Sequence, residues 1–411
     1  MAVVQRIQCR GIDAAASDVV DPCVRHSFYH VESFVVEQIV IGRRRTACCL
    51  AEKSIEWGNG DMKSMLVVGF VVLVAFFSPA RSVAAPLMYV PTGGTNEVVA
   101  IDLADNSIVQ RIGELENAHG LAGVPGGEYL VAGSMVAAKV GESMTPAKPT
   151  QVSDEEHKQH HMADAAQVVT PSVLSIIHIK HGHVIRRIPV EGLTHHTALS
   201  PDGRVAVAVH AAAGMISIIN MQDMSVIRTL KTGAVPNYAV FTRDGKRLYV
   251  SNSGANTISE MDAEKWTVVR ELKTGKKPEH LVLSADDKIL YVANVDGADV
   301  SVLDLTTGVT QRTYATGKGP HGLALSGDGH WLFAAGLEDG SLVRWDLVAG
   351  SSQRIDLKPA PYHVEYVGAV KKLYVSSRIE SKIWVLDPES LAVRAVIELG
   401  KGAVGHQMVV M

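Results

Sequence analysis

PNYAVFTRDGKRLYVSNSGANTISEMDAEKWTVVRELKTG, residues 236–275, decides the fold. It holds four short runs in which apolar and polar residues alternate, broken by Asp244-Gly245, by Gly254 and by the polar stretch after Asp262. Runs of that length and period, separated by tight-turn residues, read as a four-stranded antiparallel meander. The frame begins again at Pro278, with Leu290-Tyr291-Val292, at Pro320, with Asp328-Gly329, and at Pro361, with Leu373-Tyr374-Val375. Towards the N-terminus it fits from Thr194, with Asp202-Gly203, and from Ala118, with Gly126-Gly127. The starts at 118, 194, 236, 278, 320 and 361 are 76, 42, 42, 42 and 41 residues apart. The first of these units therefore carries an insertion, at about 135–171.

One such sheet cannot bury both of its faces. Radial stacking around an axis does so and leaves only short edges. Six units are complete. Residues 87–116 hold only the last three strands of another, and the missing first strand lies at the far end, in Gly405–Met411. The expected fold is all-β: a seven-bladed propeller of four-stranded antiparallel blades, its ring closed by the C-terminal strand joining the N-terminal blade. Six blades with a stray hairpin is the alternative. The repeat resembles the YVTN-type (YncE-like) β-propeller repeat, named for a strand written here as Leu248-Tyr249-Val250-Ser251-Asn252. The resemblance covers essentially all of 86–411. It implies the fold and little about activity, because propellers host many functions.

Composition agrees with many short strands and tight turns. Of 411 residues, 36 are Gly, 5 % are aromatic, 47 % are apolar and 20 % are charged, which excludes wholesale disorder. A net charge of −4 argues against a nucleic-acid binder with a basic face. The first 61 residues lack the turn rhythm of the rest. Met62-Lys63-Ser64, the apolar run Met65–Phe77 and the small residues Ser82 and Ala84 then form the three parts of a secretory signal peptide. The apolar run is shorter than the roughly 20 residues a membrane span needs. Residues 62–84 are thus expected to be a cleaved leader and 1–61 a disordered upstream extension from a mis-assigned start. The mature domain would be 85–411, exported to a bacterial periplasm. All four cysteines lie at or before Cys49, so that domain has neither disulfide nor thiolate ligand.

Aligning the blades makes the histidines informative. The residue opening the innermost strand is His119, His195, Asn237, Glu279, His321, Tyr362 or His406. The next is Gly120, His196, Tyr238, His280, Gly322, His363 or Gln407. The first strand of every blade lines the channel, so His119, His195, His196, His280, His321, His363 and His406 are expected around one rim. Imidazole suits copper, zinc, iron or nickel. The insertion adds His157, His160, His161 and Met162, a secondary set of imidazole plus thioether that suits copper. The arrangement resembles nitrous-oxide reductase, whose seven-bladed propeller holds a copper cluster with His, and the d1-haem propellers. The cysteine-rich copper domain of the former is missing here, and so is a Cys-x-x-Cys-His haem attachment. Copper is therefore the first choice of cofactor, with zinc or a d1-type haem behind it. His210 ends the second strand of its blade and could face the same rim. His181, His183 and His330 fall in other turns and read as surface residues. Asp102, Asp262, Asp304, Asp346 and Asp387 recur where a turn needs a backbone acceptor.

No Gly-x-Ser-x-Gly, Walker loop or dinucleotide fingerprint is present. Three readings remain open. The favoured one is an exported propeller that binds a metal or metallocofactor at a His-lined rim, in redox chemistry or metal handling, monomeric and served by a redox or metal-delivery protein. The second is a cofactor-free interaction scaffold. The third is a lactonase-like hydrolase, which would need acidic channel ligands for a hard cation. The leader makes the first testable prediction: the native protein should begin at Ala85 when its N-terminus is sequenced. Peptides from 1–61 in native material would contradict this.

Overall fold

Turn chemistry cuts each blade into its strands. The hydroxyls of Ser200, Thr242, Ser284 and Ser326 donate to Asp202, Asp244, Asp286 and Asp328 at 2.5–2.7 Å. Gly203, Gly245 and Gly329 then take φ of 69–71°, which a side chain would resist. Between third and fourth strands, Asp262, Asp304, Asp346 and Asp387 each accept two backbone N–H groups at 2.7–3.1 Å, and Asp102 accepts one. The recurrent aspartates thus have the turn role their positions predict.

The chain is described here by a computed structural model over residues 86–138 and 170–411. Those residues form seven four-stranded antiparallel sheets. In six of them the strands run outward in chain order, the innermost being Ala118–Ala122, His196–Leu199, Pro236–Phe241, Pro278–Leu283, Pro320–Leu325 and Pro361–Val367. The seventh joins the two ends of the chain. Val409–Val410 pairs with Leu87–Thr92 through Met88↔Val410 and Tyr89↔Val409, and Leu87 and Met411 exchange backbone hydrogen bonds. The predicted fold and its closure are therefore present. Among the described residues the only helical piece is a single 3-10 turn, Gly93–Thr95, and no helix is long and apolar enough to cross a membrane.

The apolar core lies between blades rather than within them. Tyr249, Ile258 and Leu272 of the fourth blade pack on Leu281, Leu290 and Val292 of the fifth. Met88, Val90 and Val99 of the first pack on Tyr374, Ile383 and Val385 of the seventh, which seals the ring. In the second blade one strand ends at Ser134 and the next starts at Ser172. Met135 N donates to Asn117 O at 3.2 Å and Ala138 N to Pro171 O at 2.7 Å, which ties the described flanks of the insertion to each other and to the start of the innermost strand. Residues 1–85, and His157, His160, His161 and Met162 within 139–169, lie outside the described residues.

Candidate metal centre on the propeller axis

The innermost strands do not start as regular ladder. In five blades the pairing steps from the first residue to the fourth across only two residues of the neighbouring strand: Ala118/Leu121, Pro236/Ala239, Pro278/Leu281, Pro320/Leu323 and Pro361/Val364. Each shift is a β-bulge, with one extra residue on the inner strand. In the third blade His195 N donates to Val209 O at 2.9 Å while His196 also pairs with Val209, the same two-against-one count. The bulge turns both opening residues of a blade towards the axis. A regular strand would have sent one of them to the opposite face.

The carbonyls released from the ladder find donors in the preceding blade. His119 Nδ1 donates to His195 O at 2.9 Å, His196 Nδ1 to Asn237 O at 2.9 Å, and Ser251 Oγ to Glu279 O at 2.7 Å. A carbonyl can only accept, so His119 and His196 carry a proton on Nδ1, which makes Nε2 the ligand atom of the neutral ring. Two blades have glycine as the second opening residue. A Cβ at Gly120 would lie 2.7 Å from His196 Cα, and one at Gly322 would lie 2.8 Å from His363 Cα. These glycines let the strands that carry His196 and His363 close on the axis.

All seven predicted histidines come together in two groups, each ring 0–6 % exposed. The first opening residues form an arc. Ring centroids run 4.6 Å from His195 to His119, 4.1 Å to His406, 5.8 Å to Tyr362 and 4.1 Å to His321, and His321 Nε2 lies 3.3 Å from Glu279 Oε2. The second opening residues form a triangle of His196, His280 and His363, with centroids 5.0, 4.8 and 5.8 Å apart. One ligand nitrogen from each of these three lies within 4.8 Å of the others. An ion bound at about 2.0–2.1 Å from each nitrogen needs them roughly 3.3–3.5 Å apart, a modest inward shift. Three of the seven rings thus lie close enough to share one ion, and the other four belong to the neighbouring arc.

Burial sets the protonation. It pushes the pKa of His280 and of His406 down to about 3, Arg378 adding to the effect at His406. His363 is held well below the usual value by burial and then by the neighbouring imidazoles. Burial raises Glu279 to about 7, with smaller opposing effects from Lys277 and Asp296. His280, His363 and His406 are thus held neutral, as ligands must be. His280 Nε2, His363 Nε2 and His406 Nδ1 are buried with no hydrogen-bond partner among the described residues. Buried lone pairs without donors cost free energy unless something binds them.

The structure departs from the sequence reading in three ways. The histidines expected around one rim are all buried, which a rim position alone does not require. No macrocycle fits among rings already within stacking distance, so a d1-type haem has no place between them. His210 does not join the cluster: its Nε2 lies 2.8 Å from Ser217 Oγ and its Nδ1 3.3 Å from Leu193 O. His178, His181 and His183 stack in a separate row, and His330 bonds Asp346. Sequence reasoning passed over Tyr238 and Tyr362 although they fill aligned opening positions; Tyr238 lies 4.4 Å from the His280 ring. It also missed Glu365, whose pKa burial raises to about 8.

Comparisons with known proteins agree with the fold. Residues 239–394 match the family model of the YNCE-like beta-propeller. No curated protein matches the chain. The periplasmic gluconolactonase of Pseudomonas aeruginosa is similar at 18 % identity and TM-score 0.60, over 79 % of this chain and 98 % of that one. A putative 6-phosphogluconolactonase from Bacteroides uniformis is similar at 15 % and 0.62, over 80 % and 100 %. Dihydro-heme d1 dehydrogenase NirN in complex with DHE is similar at 14 % and 0.55, over 78 % and 65 %. At such identities the likeness concerns the fold alone. Residues 239–394 thus resemble the YNCE-like beta-propeller family, and they lie within a closed ring of seven blades built by residues 86–138 and 170–411.

Proposed function

We propose that this chain is an exported, periplasmic propeller that binds a transition-metal ion, copper before zinc, at His196, His280 and His363 on its axis. The ion would serve redox chemistry or metal handling. The observation that carries this reading is the buried imidazole triangle with ligand nitrogens within 4.8 Å of one another, His280 and His363 being held neutral by burial. Carbonyl-anchored Nδ1 groups, as at His196, set the tautomer that ligation needs. His119, His195, His321 and His406 would form the surrounding shell, and export rests on the leader at 62–84. The lactonase-like alternative would need oxygen ligands for a hard cation. Of the described carboxyl groups at the axis, Glu279 and Glu365 have pKa values raised by burial, which opposes that use.

Metal analysis of native protein purified without a tag should give about one copper or zinc per chain. His196→Ala, His280→Ala and His363→Ala should each weaken binding by roughly 100-fold or more, beyond what loss of an outer partner costs. His181→Ala with His183→Ala should leave it unchanged. Native protein free of metal would favour the scaffold reading instead.

The same burial gives a pH prediction. His280, His363, His406 and His210 have folded-state pKa values below their unfolded value of about 6.5. Below that pH the unfolded chain takes up protons that the four folded rings refuse, which outweighs the opposite effect of the two raised carboxyls, Glu279 and Glu365, so stability falls as pH falls from about 6.5 towards 3. The melting temperature of metal-free protein should begin to drop between pH 6.5 and 5, before most carboxylates protonate. A flat profile there would contradict buried neutral imidazoles.

A further inference from the structure

A cavity of about 200 Å³ lies on the axis beside the triangle. His280 and His363 form part of its wall, His196 does not, and Val282, Leu325 and Met408 supply apolar surface. Besides the two histidines, its polar groups are Tyr238, Glu365, Tyr366 and Gln407. Gln407 is already engaged: Oε1 accepts from Leu121 N at 3.1 Å, and Nε2 donates to Thr197 O at 3.3 Å and to the Tyr238 hydroxyl oxygen at 3.4 Å. Because that oxygen accepts from Gln407, the phenol proton is left to donate elsewhere. Three imidazoles also leave a tetrahedral ion one position short, and a chamber on one side of the triangle gives that position a direction.

We propose that this chamber is the site where a small lone-pair donor, an anion of the size of azide, reaches the ion held by His196, His280 and His363. One end of the ligand would coordinate the ion, and the other would accept a hydrogen bond from Tyr238. The wall from Val282 and Leu325 limits the ligand to small size. This inference rests on the metal reading above, and the two can fail separately.

The test uses the full chain loaded with Cu(II), azide as probe, and copper content measured on every sample. Wild-type protein should develop a saturable azide-to-copper charge-transfer band. Val282→Phe and, in the other wall, Leu325→Phe should keep their copper and its EPR spectrum. They should lose azide affinity by about tenfold or more, because the added ring fills the chamber. Tyr238→Phe should weaken azide by a few-fold, about the worth of one hydrogen bond. Copper bound without any azide band, or azide bound equally well by both Phe-filled variants, would overturn the chamber while leaving the metal site standing. Failure to bind copper at all would overturn both.

Discussion

In five blades two residues at the start of the inner strand stand outside the ladder, and the rest of the site depends on that irregularity. A bulge adds one residue to the inner strand and re-aims the side chains beside it. It occurs as a register shift in five blades, with the same two-against-one count in a sixth at His195-His196. Sevenfold stacking then repeats the pair around one axis. The freed carbonyls become the acceptors that orient His119 and His196. The backbone irregularity thus positions the rings and also fixes which nitrogen of those two presents a lone pair.

Such a cluster is costly in an apo protein. Buried imidazole nitrogens without partners forfeit hydrogen bonds to water, about 1–3 kcal/mol for each group left unsatisfied. His280 Nε2, His363 Nε2 and His406 Nδ1 are of this kind. Buried polar groups that persist unpartnered call for a functional account. An ion offers one, since it takes lone pairs and needs the ligands neutral. The inter-blade packing of apolar residues on either side carries the cost.

Most of the fold was legible because repeat spacing, Asp-Gly turns and the displaced first strand are local signals that need no coordinates. The list of axial histidines was legible for the same reason: blade alignment puts His119 and His406 in equivalent places. What alignment cannot supply is depth and direction. Nothing local distinguishes a histidine on a rim from one buried on the axis, and the seven positions were read as a single ring. The division into an arc and a triangle depends on bulges and on how closely Gly120 and Gly322 let neighbouring strands approach. Tyr238 and Glu365 carry no repeat-wide signal, because no other blade has Tyr or Glu at the aligned position. The haem alternative fell to ring spacing, which sequence does not encode.

The claim at the centre of this account is that three imidazoles on the propeller axis ligate one ion. X-ray absorption spectroscopy of copper- or zinc-loaded protein tests it directly. The account predicts nearest scatterers near 2.0–2.1 Å with the outer-shell multiple scattering of about three imidazoles. A spectrum of oxygen scatterers without imidazole features would contradict it.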